Sequence, residues 1–158
     1  MKKIILFSAL LFAACGVFAQ TPAQNKAKLL KAYEAFNATH DMTTWLAIMT
    51  DDYADYAMGP EPVVGKQAVL EMSKAFLAAF PDNKVIIEKA VAEGNTIMLL
   101  VTVTGTWKND FFGQKATGKA FQYKDVDIVE FDANGKMKAH WGVQDPSTFA
   151  NQIGLKMQ

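Results

Sequence analysis

Three aspartates stand where the alternation of two predicted strands otherwise places apolar side chains. From Phe121 to Phe131 the odd positions are apolar or aromatic except for Asp125 and Asp127, and Asp145 ends a similar row in the next strand. A carboxylate on an apolar face is costly when it is ionised and unpaired, so it takes up a proton or finds a hydrogen-bond donor. The three side chains are therefore candidates for acid or base chemistry. The competing interpretation is that they lie in water at the rim or bond a buried hydroxyl.

The pairing of these two strands predicts which aromatic side chains face the aspartates. A three-residue loop at 133–135, with its glycine in the left-handed region, would set Asp127 opposite Trp141 and Tyr123 opposite Asp145. This register keeps both apolar sets on one side of the sheet, whereas a two-residue turn would pair an apolar face with a polar one. Trp141 and Tyr123 are therefore predicted to line a pocket.

The two histidines give a weaker signal. Because side chains alternate along a strand, His140 is predicted to lie on the face opposite Trp141. Its position in the last strand keeps it a candidate for substrate binding. His40 ends the first predicted helix and is expected to cap it or to be solvated. The two side chains lie in separate segments without metal-ligand spacing, and no phosphate-cradling glycine loop occurs. The sequence thus predicts neither a metal nor a cofactor.

The elements that must position these residues follow from the hydrophobic periodicity. Apolar residues at helical spacing predict three helices, and alternating segments predict five strands with tight connections at 93–95 and 132–135. The predicted helices are 26–39, 43–49 and 66–80, and the predicted strands are 53–58, 84–92, 96–107, 120–131 and 136–145. Helices followed by a curved antiparallel sheet predict an α+β cone with an apolar interior.

The first 19 residues predict an exported protein. Two lysines, a short apolar run and a small-residue cleavage site at Ala19 are typical of a cleavable signal peptide. A lipid-modified Cys15 is the alternative. Cleavage after Ala19 would remove the only cysteine and leave 20–158, a length that fits one domain, with residues 20–25 as a frayed lead-in.

Charge and composition narrow the range of partners. The chain has 16 basic and 16 acidic residues, and every basic residue is a lysine. Without arginine there are no bidentate contacts to phosphate or guanine, which disfavours nucleic acid as a partner. No membrane association is expected after signal cleavage. The even positions of 121–131 form a mixed face, as an outer or dimer-forming surface would.

An ordered set of short motifs resembles the SnoaL-like polyketide cyclases of the nuclear transport factor 2-like superfamily. The resemblance covers roughly residues 26–155 and rests on the motifs Ala79-Phe80-Pro81-Asp82, Glu93-Gly94-Asn95, Gly105-Thr106-Trp107, Phe112-Gly113, Ala116-Thr117-Gly118-Lys119, Gly135-Lys136 and His140-Trp141. It implies a cone-shaped α+β barrel, commonly dimeric, with a small-molecule pocket. Trp107 and Ala116 depart from the family pattern, which has histidine and proline there. The acid/base aspartate that the family carries on its closing strand has Asp145 as its nearest counterpart.

A second resemblance, to ketosteroid isomerases, concerns the N-terminal half. Tyr33, with Asp41 and Asp51-Asp52 behind it, is similar to the segment whose tyrosine donates to an enolate oxygen in those enzymes. The segment 127–136 resembles their strand with a protonated aspartic acid, here Asp127. The isomerase base would fall at Ala57, which cannot take a proton, and Asp55 is a possible substitute on the same strand face. Alternatively, Tyr33 only bonds Asp127 inside the core.

These observations predict a cofactor-free, exported enzyme that acts on a small, largely apolar carbonyl compound. Asp145 or Asp55 would take a proton next to the carbonyl, while Tyr33 and Asp127 would donate to the enolate oxygen. The side chains expected to contact substrate are Trp141, Tyr123, Asp125, Trp107 and His140. The alternatives are a ligand-binding or partner-recognition domain without chemistry, and a structural module that forms a homodimer through the outer face of the sheet.

Overall fold

Six strands form one curved, mixed sheet with helices on its inner side. A computed structural model describes residues 20–57 and 61–156, and the predicted signal peptide at 1–19 lies outside the described residues. The strand order is β2-β1-β6-β5-β4-β3, antiparallel except for the parallel pair β1 and β6. The elements are α1 (Pro22–Thr39), α2 (Thr43–Ile48), β1 (Met49–Asp55), β2 (Val63–Val64), α3 (Lys66–Ala79), β3 (Lys84–Glu93), β4 (Thr96–Thr106), β5 (Ala120–Phe131), β6 (Met137–Gly142) and α4 (Pro146–Ile153).

The predicted α+β class and curved sheet are confirmed, with the parallel β1–β6 pair as an addition. The long strands alternate as the sequence predicts: Ile97, Leu99 and Val101 of β4 are fully buried, and Leu29 of α1 is buried in the same core cluster. Val69 of α3 joins that cluster. No helix within the described residues is long and apolar enough to cross a membrane.

The first helix begins earlier than the sequence analysis predicts. Residues 20–25 were expected to be a frayed lead-in, but α1 starts at Pro22 with Thr21 as its N-cap. The Thr21 hydroxyl accepts from Gln24 N at 3.2 Å, and the Gln24 side chain accepts from Thr21 N at 2.8 Å. This capping box, with proline at the first helical position, satisfies backbone donors that would otherwise remain free.

A β-bulge in β6 decides which side chains face the interior. The turn before it is as predicted: Gly135 has φ +68° and Phe131 pairs with Met137. The register then shifts by one residue at Lys138, so that Glu130 pairs with Ala139 and Val129 with His140. Because a one-residue slip exchanges the faces of a strand, His140 turns inward and its neighbour turns outward.

The last strand is shorter than predicted, and a helix follows it. β6 ends at Gly142, not at 145, and Asp145 is the N-cap of α4. The Asp145 carboxylate accepts from Ser147 N at 2.9 Å and from the Ser147 hydroxyl at 2.8 Å. Aspartate followed by proline at the first helical position is a helix-start signal, which was interpreted as the end of a strand.

Gly135 allows a direct test of how tightly the β5–β6 turn packs against the start of α1. Its φ is +68°, and a Cβ there would lie 2.1 Å from Gln20 Oε1 and 2.9 Å from Asn25 Oδ1. Gly94 also has positive φ, +54°, but a Cβ there would meet nothing within 4 Å. We expect Gly94→Ala to lower the free energy of unfolding by about 1 kcal/mol through backbone strain alone, and Gly135→Ala to lower it by more. Urea denaturation of both variants measures the difference. Equal losses in the free energy of unfolding would show that the turn can accommodate a Cβ at Gly135 without a clash.

Candidate active site

A cavity of about 470 Å³ opens between α1, α3 and the inner face of the sheet. Most of its wall is apolar or aromatic. The wall residues include Phe36, Trp45, Met49, Val69, Met72 and Phe76. Five polar side chains also line it, namely Tyr33, Tyr53, Asp55, Ser73 and His140. A concave, largely apolar space with a few convergent polar groups is the usual form of a small-molecule site.

Tyr33 and Asp127 meet at one end of these polar groups. Tyr33 lies on the buried face of α1, and its hydroxyl donates to Asp127 Oδ2 on β5. Burial, and then the charge and hydrogen bond of Asp127, raise the pKa of Tyr33 well above its ordinary value. The proton therefore stays on the tyrosine, and Asp127 is the acceptor of this pair.

His140 lies between two carboxylates. Its Nδ1 is 3.3 Å from Asp55 Oδ2, and its Nε2 is 3.4 Å from Asp127 Oδ1. The second distance is long for a hydrogen bond and describes a close charge contact. The bulge at Lys138 creates this arrangement, because without the register shift His140 would point away from both aspartates.

The two carboxylates keep His140 charged at neutral pH. Burial favours the neutral ring, but the nearby carboxylates of Asp127 and Asp55 outweigh it and raise the pKa of His140 to about 10. Burial likewise acts against the charge of Asp55, yet the hydrogen bond and charge of His140, together with the hydrogen bond from Ala57 N, lower its pKa. The cluster thus holds one imidazolium between two aspartates.

Tyr53 belongs to the cluster and is absent from the sequence-based candidates. Tyr53 and Asp55 are two residues apart on β1, so both side chains point inward and line the same cavity. Burial and the Asp55 charge raise the pKa of Tyr53. The alternation of β1 could have indicated Tyr53, but β1 was predicted to begin only there, which hid the pattern.

Asp125 and Tyr123 continue the inner face of β5 away from the cluster. Asp125 is buried, and burial followed by the neighbouring Asp127 charge raises its pKa. Its Oδ1 has no hydrogen-bond partner among the described residues. Tyr123 lines a second cavity of about 500 Å³, which is closed on one side by α4. The inner face therefore leads from one cavity toward the other.

Three of the sequence-based candidates lie elsewhere. Trp141 was predicted to face Asp127, but the bulge places it on the outer face, where it stacks on Tyr56 with ring centroids 5.2 Å apart. Trp107 is buried at the end of β4, with Nε1 donating to Asn109 O at 2.7 Å, and lines neither cavity. Asp145 caps α4 in solvent, and its hydrogen bonds with Ser147 lower its pKa. Asp145 is thus not near the polar cluster.

The arrangement can move a proton without leaving an unpaired charge. Asp55 reaches the cavity as a carboxylate, and Tyr33 and Tyr53 bring hydroxyls to the same wall. The imidazolium of His140 sits next to them and can offset one further negative charge in a site of low dielectric. These are the components of general acid and base catalysis with electrostatic stabilisation of an anion.

Comparisons with known proteins point to one family and one fold. The family model for SnoaL-like polyketide cyclases matches residues 27–153. No curated protein sequence matches the chain significantly.

Three solved structures illustrate the likeness in fold. A SnoaL-like polyketide cyclase candidate from Jannaschia sp. CCS1 superposes with TM-score 0.77 at 19% identity, over 87% of this chain and 98% of its own. AclR from Streptomyces galilaeus, described as a candidate hydroxylase, gives 0.73 at 25% identity over 87% and 89%. IdmH from Streptomyces antibioticus, described as a candidate polyketide cyclase, gives 0.69 at 24% identity over 83% and 99%.

The charge on His140 predicts a specific pH dependence of stability. Its pKa rises from 6.5 to about 10 on folding, so between these values the folded protein holds a proton that the unfolded chain releases. The stabilisation is complete below pH 6.5 and is lost as pH rises toward 10, with a slope of up to about 1.4 kcal/mol per pH unit. Urea denaturation from pH 6 to 10 measures the slope, which His140→Gln should abolish and His40→Gln should leave intact. A flat wild-type profile would contradict the charged cluster.

Proposed function

This chain belongs to the SnoaL-like polyketide cyclase family, and we propose that it is an exported, cofactor-free enzyme that removes a proton next to the carbonyl group of a small, largely apolar compound. The export component rests on the signal-peptide pattern of residues 1–19. The observation that carries the enzymatic component is the Asp55–His140–Asp127 cluster, which opens into an apolar cavity through Asp55 and His140.

Asp55 is the proposed base. It is the carboxylate of the cluster that lines the cavity, and its backbone neighbour Ala57 N donates to Oδ1 at 2.9 Å. In the proposed step the C–H bond next to the carbonyl breaks, the proton passes to Asp55, and the electron pair forms the enolate. The lowered pKa of Asp55 makes it a modest base, so the enolate must be stabilised strongly.

His140 and Tyr33 are the proposed stabilising groups. When Asp55 takes the proton, the negative charge moves from its carboxylate to the enolate, and the imidazolium of His140 remains beside both. The total charge of the site is therefore unchanged by the step, and little reorganisation is needed. Tyr33 also lines the cavity, and its single hydroxyl proton, which goes to Asp127 in the structure, would have to be redirected to the enolate oxygen for Tyr33 to stabilise the enolate.

Asp127 has a positioning role in this proposal, and not the donor role expected from the sequence. It accepts from the Tyr33 hydroxyl and faces His140 Nε2 at 3.4 Å, so both of its contacts require an acceptor. Asp127 thus positions the tyrosine in the resting site and helps to keep the histidine charged. Asp145, the other base considered from the sequence, is not part of the proposed site.

Family membership alone does not specify the reaction. Among the similar structures are one described as a candidate hydroxylase and others described as candidate polyketide cyclases. One fold commonly carries several activities, so the proposal depends on the local chemistry of this chain.

A ligand-binding domain without chemistry is the second candidate. The observation that favours it is that His140 lies within 3.3 Å of Asp55 and 3.4 Å of Asp127, an arrangement that a buried structural ion cluster would also have. The two candidates differ in one measurable outcome. An enzyme of the proposed kind exchanges the proton next to the carbonyl of a bound ketone with solvent, whereas a binding domain holds the ketone and leaves that proton in place.

Proton exchange also separates the roles of the cluster residues. With a panel of bicyclic ketones such as 4-chromanone and 1-tetralone in deuterated buffer, NMR measures loss of the signal next to the carbonyl. We expect Asp55→Asn to slow the exchange by about 100-fold to 10,000-fold, as removal of a general base does. Tyr33→Phe should slow it by about 100-fold, as loss of one oxyanion donor does.

Asp145→Asn is the matched control for this experiment. Asparagine is as good an N-cap as aspartate, so α4 should be retained and exchange should continue at the wild-type rate. Exchange that survives Asp55→Asn, or that is lost with Asp145→Asn, would overturn the assignment of the base. Binding of the ketones without any exchange by the wild-type protein would favour the second candidate.

We further propose that the protein forms a homodimer through the outer face of β3 and β4. Ile86, Val91 and Met98 are large apolar side chains exposed there, with 53%, 61% and 44% of their surface accessible. Val91 and Met98 are cross-strand partners, so the apolar surface is continuous across the two strands. An apolar patch of this kind favours association with a second copy.

Light scattering after size-exclusion chromatography tests the proposed dimer. We expect the wild type to elute with twice the mass of one chain and Val91→Lys to elute as a monomer, because a buried lysine at the interface would lose its hydration. Val64→Lys is the control, since Val64 is equally exposed but lies on β2 at the far edge of the sheet. A monomeric wild type, or a dimer that Val91→Lys leaves intact, would contradict this interface.

A further inference from the structure

β3 is an edge strand with one free side. It ends the strand order of the sheet, so β4 is the strand that pairs with it. The free side is covered at Val85, where the Asn37 side chain of α1 accepts from Val85 N at 2.9 Å and donates to Val85 O at 2.7 Å. Among the described residues, no hydrogen bond from outside the β3–β4 ladder reaches the backbone of 89–93. An uncovered edge of this kind is a template for pairing with another chain.

The ladder with β4 decides which backbone groups of this segment point to the free edge. Glu93 and Thr96 flank a two-residue turn and are cross-strand partners. Positions in an antiparallel pair alternate between hydrogen-bonded and non-hydrogen-bonded, and the pair beside a two-residue turn is hydrogen-bonded. The backbone of Val91 therefore bonds that of β4, whereas the N–H and C=O groups of Ala90 and Ala92 point away from the sheet.

Three exposed side chains follow one another along the outer face of the same segment, namely Lys89, Val91 and Glu93. Val91 has 61% of its surface accessible, and within the described part of the chain neither Lys89 nor Glu93 forms an ion pair. A basic, an apolar and an acidic side chain at equal spacing are self-complementary. A second copy that runs antiparallel about Val91 sets Lys89 of each copy opposite Glu93 of the other.

We propose that two copies of this chain pair along the free edge of β3, antiparallel and with a two-fold axis at Val91. In this register Ala90 of each copy faces Ala92 of the other, so the edge-directed N–H and C=O groups bond one another. Val91 meets Val91, and Lys89 meets Glu93, at the non-hydrogen-bonded pairs, where opposite side chains lie closest. The pairing rests on the proposed homodimer and specifies a backbone contact within it.

The other registers lose part of this agreement. A shift of one residue sets edge-directed backbone groups opposite groups that already bond β4. A shift of two residues restores the backbone pairing but separates each lysine from its glutamate. The register centred on Val91 therefore satisfies the backbone and the charges together.

A β-bulge limits the length of the proposed pairing. The register between β3 and β4 shifts just before Lys89, which leaves Glu88 as the extra residue. Its carboxylate is occupied within the same chain, because it accepts from the Thr102 hydroxyl and, at 2.7 Å, from Lys124 Nζ. Since a bulge bends the strand and the turn follows Glu93, the pairing is confined to 89–93. A two-fold contact closes on itself, so it gives a dimer and not a fibre.

Charge reversal tests the register. By analytical ultracentrifugation we expect Lys89→Glu and Glu93→Lys each to weaken the dimer by about tenfold to 100-fold, because like charges then face each other twice in the symmetric pair. Both side chains are exposed, so the variants should fold. An equimolar mixture of the two variants should recover the wild-type affinity, since one copy then supplies two acidic side chains and the other two basic ones. Lys84→Glu, at an exposed position of β3 outside the paired segment, is the matched control and should dimerise as the wild type does.

Amide hydrogen exchange tests the backbone contact. The N–H groups of Ala90 and Ala92 should exchange at least about tenfold faster in monomeric Lys89→Glu than in the wild-type dimer, because dissociation frees both. The Val91 amide bonds within the β3–β4 ladder, so it should be equally protected in both proteins and is the internal control. Equal exchange at Ala90 and Ala92 in the two proteins, or a mixture of the reversed variants that associates no better than either alone, would overturn the pairing.

Ile86→Lys separates this inference from the outer-face contact proposed above. Ile86 is exposed on the outer face of β3 but lies outside the paired segment. If Ile86→Lys dissociates the dimer while the charge reversals have no effect, the outer-face contact stands and the edge pairing is refuted. If the reversals and their mixture behave as expected while Ile86→Lys remains dimeric, the edge pairing stands without the outer-face contact. A monomeric wild type would refute both and leave the proposed proton abstraction to its own test.

Discussion

The imidazolium of His140, held between Asp55 and Asp127, joins three parts of the fold. Asp55 comes from β1, Asp127 from β5 and His140 from β6 between them, and Tyr33 ties α1 to the same group through Asp127. Each carboxylate would be unfavourable on the inner face without the positive charge, and the histidine would be neutral without the carboxylates. The helix, the sheet register and the protonation of the ring therefore depend on one another.

The bulge at Lys138 is the backbone feature that makes this cluster possible. Up to Met137 the strand keeps the register set by the turn, and beyond it the faces are exchanged. In a regular strand Trp141 would point at Asp127 and the cavity would be closed by an indole, with two unpaired carboxylates behind it. With the bulge, Trp141 stacks on Tyr56 outside and a titratable ring takes the inner position. One extra residue thus converts a packed interior into a charged site.

Periodicity predicts most of the fold because it depends on local repetition. The alternation of 120–131 matches β5 residue for residue, and the predicted α3 ends within one residue of the observed helix. The site is harder to predict because the register of β6 depends on tertiary pairing with β1 and β5, which leaves no local signal in the sequence. The inward position of Asp127 was accessible from alternation, and its contact with Tyr33 was one of the two interpretations of the resemblance to ketosteroid isomerases. The inward position of His140 could not be predicted in this way, since alternation alone places its side chain on the opposite face.

A buried ion cluster is not an efficient way to stabilise a protein. Well-packed apolar side chains of similar volume are commonly at least as stabilising as a buried ion pair, because the charges lose their hydration. Asp125 adds a second unfavourable contribution, since its burial and the neighbouring Asp127 charge raise its pKa, and its Oδ1 has no hydrogen-bond partner among the described residues. Stability alone therefore does not account for three carboxylates on the inner face around one imidazolium. A site that must accept a negative charge beside a fixed positive one does account for them, because its protonation state is set before the ligand arrives and need not change when the ligand reacts.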